Sequence, residues 1–390
     1  MHRSRIVCRA GDFLAIVATV VPIAAWTGCG IDRTSAPEAH HPAFDVVEAT
    51  IADIQTAVRS GDVSCREIVQ LYLDRIAAYD SASGVNAITF VNPRALERAD
   101  EIDAALSRSE EVGPLFCAPI LVKDNFDTHD LPTTAGSVVL LESRPPDDAF
   151  MVRKIREAGA IVLAKTNMAE WAFSPRQTVS SSYGTTANAY DTSRVPAGSS
   201  GGTASGVAAS FGVAGLGSDT GNSIRGPSSH LALFGIRSTI GLTSRDGVVP
   251  LSYDRDIAGP MTRTVEDGAR LFQVIAGYDP TDDLTAEARD HGEQNYATRL
   301  RTDGLVGARI GVVRELVDPE VSDPSIVRLF EEALDDLRNA GATVVDPFIF
   351  PEAEEHLAAE NYCPRFRFDM MSYLESLGDA APIRDVKEAF

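Results

Sequence analysis

Cysteine and histidine, the residues that most often bind metals, are scarce in this chain. Five of its 390 residues are cysteine and seven are histidine, and no CxxC, HExxH or histidine cluster occurs. The sequence therefore predicts no metal site. Cys8 and Cys29 lie near the N-terminus. The remaining Cys65, Cys117 and Cys363 form an odd and scattered set, which predicts no disulfide framework.

Positive charge is also in short supply. The chain has 35 lysines and arginines against 56 aspartates and glutamates, which gives a formal net charge of −21. Because an acidic surface repels phosphates, nucleic acid is excluded as a partner. The sequence has no GxxxxGK[ST] pattern, so a phosphate-binding loop is not predicted. A hydrophobic content of 44% and a charged content of 23% are typical of a soluble globular enzyme.

The first 28 residues have the order of an export signal. A basic start, MHRSRIVCRAGD, precedes the uncharged run FLAIVATVVPIAAWT, and Cys29 follows small residues as in a lipoprotein processing site. A membrane anchor is disfavoured because the run is short and contains Pro22. We therefore expect an exported protein, in the cell envelope or extracellular, either lipid-anchored at Cys29 or plainly secreted. Residues 29–43 then form a polar tether and residues 44–390 the folded domain.

The body of the chain alternates helical and strand patterns. Two amphipathic helices are predicted up to Asp80, separated at Gly61, and a capping box from Ser64 to Glu67 opens the second. The segments VRKIREAGAIVLAK and LFEEALDDLRNAGATVV each place a helix, a glycine stop and a β-branched run in succession. With the apolar runs APILVKDN and ARIGVV, they predict an α/β fold whose sheet is covered by helices on both faces. The chain stops within a helical pattern, so we expect a domain truncated at its C-terminus.

Two glycine-rich stretches, RVPAGSSGGTASG and GSDTGNSIRGPSS, carry the candidate nucleophiles. Residues 198–202 match the G-x-S-x-G spelling of a nucleophile elbow, but an elbow follows directly on a strand. The preceding AYDTSRVPA is polar and interrupted by proline, which disfavours that interpretation. A serine–histidine–aspartate triad would have to use His230, His291 or His356, and nothing in the sequence singles one out.

Lysine is the alternative base, and it is rare. Only Lys123, Lys154, Lys165 and Lys387 are lysines among the 35 basic residues. Arginine cannot be deprotonated in a protein, whereas burial can lower the pKa of a lysine far enough to make it a base. Lys154 and Lys387 lie in charged helical segments, whereas Lys123 and Lys165 each end an apolar, strand-like run. Composition leaves the choice between these last two open.

These stretches, together with PILVKDNFDTHDLPTTAGS and SRDGVVPLSYDRDIAGPMTRTVEDGARLF, resemble the amidase signature family. The resemblance runs from Val47 onward and implies that residues 44–390 form an amidase domain. It implies a large mixed sheet flanked by helices, hydrolysis of carboxamide bonds, and no metal or organic cofactor. It also implies a Ser–Ser–Lys relay with Lys123 as the base, Ser199 as the bridging serine after a cis peptide bond, and Ser223 as the nucleophile.

The resemblance further implies roles for the loop before the nucleophile. Backbone N–H groups of Thr220, Gly221 and Asn222 would bind the oxyanion. Asp219 and Arg225 would support this loop structurally, as an ion pair.

The chain departs from the family at two positions, one shortly before each of the two relay serines. Ala197 and Asn222 stand where the family usually has glycine. Glycine at position 222 suggests a left-handed backbone, which asparagine tolerates.

The expected partner is a small-molecule amide substrate. A non-catalytic amidase-like binding protein and an amidotransferase subunit that feeds ammonia to glutamyl-tRNA are the alternatives.

Overall fold

The computed structural model describes residues 44–291, 295–317, 319–349, 351 and 364–389. The predicted export signal, the polar tether and Cys363 lie outside the described residues. Within those ranges, no helix combines the length and the apolar character needed to cross a lipid bilayer.

Two capped helices open the described chain. Helices α1 (Ile51–Ser60) and α2 (Cys65–Ser83) each begin with a capping box, and Ser64 and Glu67 form the second one as predicted. In such a box a side chain satisfies the free N–H groups of the first helical turn. Gly61, with φ of 78°, ends α1 in a left-handed conformation that glycine adopts without steric cost.

A mixed six-stranded sheet forms the centre of the fold, in the order β1-β3-β2-β6-β8-β7. Strand β2 runs parallel to β3 and to β6, while β1, β7 and β8 pair antiparallel with their neighbours. The strands are β1 (Ile88–Val91), β2 (Pro119–Lys123), β3 (Ile161–Thr166), β4 (Thr178–Ser180), β5 (Gly184–Thr186), β6 (Ala214–Asp219), β7 (Phe234–Gly235), β8 (Ile257–Thr262), β9 (Arg309–Gly311) and β10 (Thr343–Val345).

Helices pack against this sheet, which confirms the predicted α/β class. Every residue of β2, β3, β6 and β8 is buried, as expected for strands that helices cover. The remaining helices are α3 (Ala95–Ser107), α4 (Phe150–Glu157), α5 (Gly201–Ala208), α6 (Arg225–His230), α7 (Val265–Ile275), α8 (Pro324–Asn339) and α9 (Phe366–Ser376).

The last two strands do not join the central sheet. β9, from the run ARIGVV, and β10, after the glycine stop of α8, pair as a small parallel sheet and, within the described residues, with no other strand. Their residues are exposed or half-buried, unlike those of the central strands. The prediction that these runs belong to the buried sheet is therefore wrong. A helix, a glycine and a β-branched run in succession indicate a strand, but they do not show which other strand it pairs with.

Cys65 and Cys117 form a disulfide, so the prediction of no disulfide framework is wrong for this pair. The bond joins the first residue of α2 to the segment before β2, and both cysteines are fully buried. The Cα atoms lie 5.5 Å apart although 52 positions separate them in the chain. Such a separation gives no local pattern from which the pairing could be predicted.

Candidate active site

Lys123 is the last residue of β2 and is fully buried. Its Nζ donates to Ser199 Oγ at 2.7 Å, to Ser218 Oγ at 2.8 Å and to the Ser218 carbonyl at 3.3 Å. Parallel pairing of β2 with β6 brings the carboxyl ends of both strands together, and this explains the contact with Ser218. Burial lowers the pKa of Lys123 to about 7, against the opposing effect of the Asp219 and Asp256 carboxylates.

Ser218 was not singled out from the sequence. Its hydroxyl accepts hydrogen bonds from Lys123 Nζ and from Asn125 Nδ2, the latter at 2.9 Å. Its carbonyl also accepts from Ser200 Oγ at 3.1 Å. Ser218 thus fixes the lysine amine through both its hydroxyl and its carbonyl. The sequence offered one signal for it. Ser218 lies near the end of an apolar run, as Lys123 does, and the two runs pair as parallel strands in the structure.

Ser199 follows a cis peptide bond from Gly198, as the resemblance implied. It lies just before α5, is fully buried, and its carbonyl accepts from Ala169 N at 3.0 Å. A side chain at position 198 would place a Cβ 2.5 Å from the carbonyl oxygens of Ser174 and Gln177. Glycine at 198 is therefore a packing requirement.

Ala197 is the residue with the unfavourable backbone. Its φ is 60°, in the left-handed region, and its carbonyl accepts from Thr178 Oγ1 at 2.9 Å. A non-glycine residue pays about 1–2 kcal/mol for that conformation because its Cβ crowds the carbonyl. A glycine at this position, as the resemblance led us to expect, would avoid that cost.

Asp219 ends β6 and holds the loop that leads to Ser223. Its carboxylate accepts from the backbone N–H of Ile224 at 3.0 Å and from Arg225 Nε at 3.1 Å, and it also pairs with Arg237. Burial raises the pKa of Asp219, but the bonds from Arg225 and Ile224 outweigh it, and the pKa lies below its usual value. The expected ion pair between Asp219 and Arg225 is present.

Thr220 is anchored by a carboxylate that sequence reasoning missed. Its hydroxyl donates to Asp256, which also accepts from the backbone N–H groups of Leu251 (2.8 Å) and Ser252 (2.9 Å). Asp256 therefore ties the predicted oxyanion loop to the segment before β8.

Ser223 is buried directly after this loop. Among the described residues its hydroxyl forms no hydrogen bond, so of the two predicted relay contacts the structure brings together only Lys123 and Ser199. Catalytic hydrogen bonds are often long in a free enzyme and tighten when substrate binds.

Asn222 does not adopt the predicted conformation. It is absent from the residues with positive φ, so the expectation of a left-handed backbone there is wrong. Its carbonyl instead accepts from Gly226 N at 2.8 Å, which starts the turn into α6. Its side chain donates to the Pro175 carbonyl at 3.3 Å and lies over Gly226, where a Cβ would collide with it.

Lys165, the other candidate base, lies at the end of β3 and is also fully buried. Its Nζ donates to the carbonyls of Phe126 (2.7 Å) and Pro132 (2.9 Å) and lies 3.5 Å from an Asp124 oxygen. Burial lowers its pKa, and Asp124 opposes that effect. Its Nζ also donates to the Thr133 hydroxyl at 3.0 Å, and no serine hydroxyl is among its partners, so we assign Lys165 a structural role.

One group of side chains has the composition of a metal site. Ligand atoms of His129, Asp130 and Asp148 lie within 4.8 Å of one another. Arg156, however, pairs with Asp130 at 2.6 Å and with Asp148 at 3.0 Å. Because the guanidinium already supplies the positive charge, this group is better explained as an ion-pair cluster.

Comparison with known proteins identifies the family. A family model described as Amidase matches residues 67–389, and the chain belongs to the amidase signature family. Among curated proteins, it is 40% identical over 342 residues to the A-type subunit of the glutamyl-tRNA(Gln) amidotransferase from Acidothermus cellulolyticus. The match covers 86% of this chain and 66% of that protein, so the chain spans about two thirds of the length of this relative.

Solved structures show the same fold. The peptide amidase of Stenotrophomonas maltophilia superposes with a TM-score of 0.80 at 35% identity, over 90% of this chain and 71% of that one. A bacterial aryl acylamidase of the amidase signature family gives a TM-score of 0.73 at 26% identity, over 86% of this chain and 70% of that one.

Proposed function

We propose that this protein hydrolyses carboxamide bonds through an acyl-enzyme on Ser223. Neutral Lys123 takes a proton through Ser199 as the Ser223 hydroxyl attacks the amide carbonyl. Backbone N–H groups of the loop from Thr220 to Asn222 stabilise the oxyanion, as fixed donors do in acyl transfer. The relay then protonates the leaving nitrogen, and water releases the acyl group.

The contact between Lys123 and Ser199 carries this proposal. A neutral amine has two N–H groups and one lone pair. As an ammonium, Lys123 donates to Ser199 as well as to Ser218. When it is neutral, the two oxygens of Ser218 can accept both N–H groups, and the lone pair can then accept from the Ser199 hydroxyl across the same 2.7 Å. A pKa of about 7 provides the neutral form at physiological pH. The arrangement therefore suits proton abstraction better than ion pairing.

The test is turnover of a panel of primary amides, anilides and fatty amides by the purified chain. We expect release of ammonia or aniline, and its loss in Ser223→Ala. Ser229→Ala, an exposed serine of the same stretch, is the matched control and should retain activity. Binding of amides without turnover by the folded chain would favour a non-catalytic binding protein instead.

An amidotransferase subunit is the second candidate, and the curated relatives favour it. The net charge of −21 and the buried Cys65–Cys117 disulfide argue against it, since disulfides persist in oxidising compartments, away from tRNA. A glutamine-specific activity, with no turnover of other amides, would favour the amidotransferase.

We also propose that the protein is exported. The order of the N-terminal segment and the disulfide both support this localisation. Mass spectrometry of the mature N-terminus decides between the two forms. A lipid-modified Cys29 at the first position indicates an anchored protein, a cleaved but unmodified N-terminus indicates secretion, and an intact Met1 contradicts export.

A further inference from the structure

Arg255 places a guanidinium beside the oxyanion loop. Its Nη2 lies 3.7 Å from the position that a Cβ on Gly221 would occupy, two residues before Ser223. Gly221 itself is exposed and Arg255 is half-buried, so this edge of the site is open to solvent. Across the described chain, no carboxylate lies within ion-pair distance of Arg255 and its side chain donates no hydrogen bond.

The other charges around this loop are already engaged. Arg225 and Arg237 both pair with Asp219. Asp256 accepts from Thr220 and from two backbone N–H groups. Of these three arginines of the described chain, Arg255 is the one without a counter-ion.

Asp254, which like Asp256 is adjacent to Arg255 in the chain, is also occupied. Asp254 accepts from Ser252 Oγ at 2.6 Å rather than pairing with the arginine beside it. Acidic residues flank Arg255 on both sides in the chain. Its lack of an ion pair is therefore not explained by a local shortage of carboxylates.

The backbone holds Arg255 in place. Its N–H donates to the Ser252 carbonyl at 2.9 Å, and its own carbonyl accepts from Arg237 Nη2 at 3.0 Å. The buried Asp369 of α9 accepts from the backbone N–H of Tyr253 at 2.9 Å, which also fixes this segment. A guanidinium on a fixed segment presents a planar fork that matches the two oxygens of a carboxylate.

We propose that Arg255 binds a carboxylate of the substrate, so that the protein acts on amides bearing a free carboxylate close to the scissile bond. This inference rests on the proposed amide hydrolysis. It also suits an acidic protein, because a local cation offsets the repulsion that a net charge of −21 exerts on an anionic substrate.

The test compares two amides of similar shape and different charge. Succinamate carries a carboxylate where 4-methylpentanamide carries an isopropyl group. We expect the wild type to prefer succinamate in kcat/KM, and Arg255→Gln to lower that preference by about ten- to a hundredfold, as loss of a charge-assisted bond does. Arg309→Gln, which changes an exposed arginine of β9, is the matched control and should keep the preference. An unchanged preference in Arg255→Gln would overturn the inference.

A binding measurement separates this inference from the proposed function. Titration of succinamate into Ser223→Ala, with and without Arg255→Gln, needs no turnover. Weaker binding of about tenfold or more in the double variant supports the carboxylate site even if no amide is hydrolysed. Equal binding, or none in either protein, contradicts it.

Discussion

The acylation rate should rise with pH as Lys123 loses its proton. The perturbation is pH itself, applied to the wild type between 5 and 9. Burial lowers the pKa of Lys123 to about 7, and a lysine that carries a proton cannot serve as the base. The rate of Ser223 acylation should therefore be low in acid, rise through about pH 7 and then level off.

The size of the effect follows from the fraction of neutral lysine. With a pKa of about 7, about half of the lysines are neutral at pH 7, about a tenth at pH 6 and about one in a hundred at pH 5. An ordinary lysine, with a pKa near 10.4, would be neutral in only about four molecules in ten thousand at pH 7. Burial thus increases the neutral form at pH 7 by about a thousandfold.

The assay is the burst of aniline release from an anilide substrate, followed by stopped flow at each pH. Lys123→Met removes the base without leaving a buried charge and should abolish the burst while the protein stays folded by circular dichroism. Lys165→Met tests the other buried lysine, and wherever that variant folds it should keep the pH profile. A burst that does not vary between pH 5 and 8, or one that survives in Lys123→Met, would refute the reasoning.

Three further predictions concern stability. Ala197→Gly should raise the free energy of unfolding by about 1 kcal/mol, because it relieves a left-handed alanine; an unchanged urea midpoint would contradict this. Reducing the Cys65–Cys117 disulfide should cost about 4 kcal/mol from the freed 52-residue loop, measured as the loss of urea stability in dithiothreitol. Burial raises the pKa of Asp127 to about 7 although the Tyr373 hydroxyl donates to it, so its contribution to stability is lost as pH rises from about 4 to about 7. Asp127→Asn should flatten that decline in thermal melts, and an unaltered pH dependence would exclude Asp127 as its source.

Local signals in the sequence were sufficient for the first two helices, α1 and α2. The capping box at Ser64 and the stop at Gly61 act within one turn, so their positions could be predicted from neighbouring residues alone. Strand partners could not be predicted in this way. The sequences of β9 and β10 have the same β-branched, apolar pattern as the central strands. Only the three-dimensional structure shows that they pair with each other and not with the main sheet.

The candidate site shows the same division. Lys123 is the last residue of β2 and Lys165 the last but one of the neighbouring β3, and both are fully buried, so apolar pattern and rarity could not separate them. The family resemblance chose Lys123, and the contact with Ser199 agrees with that choice. Ser218 and Asp256 were missed because they reach the lysine and the oxyanion loop across strands rather than along the chain.

The central claim is that Ser223 becomes acylated during amide hydrolysis. The most direct measurement is acid quenching of the enzyme during anilide turnover, followed by peptide mass spectrometry. We predict that the peptide containing Ser223 gains the mass of the acyl group, and that this adduct is absent from Ser223→Ala and from Lys123→Met. Amide turnover with the acyl group on a different residue, or with no covalent adduct in either steady state or burst, would contradict it.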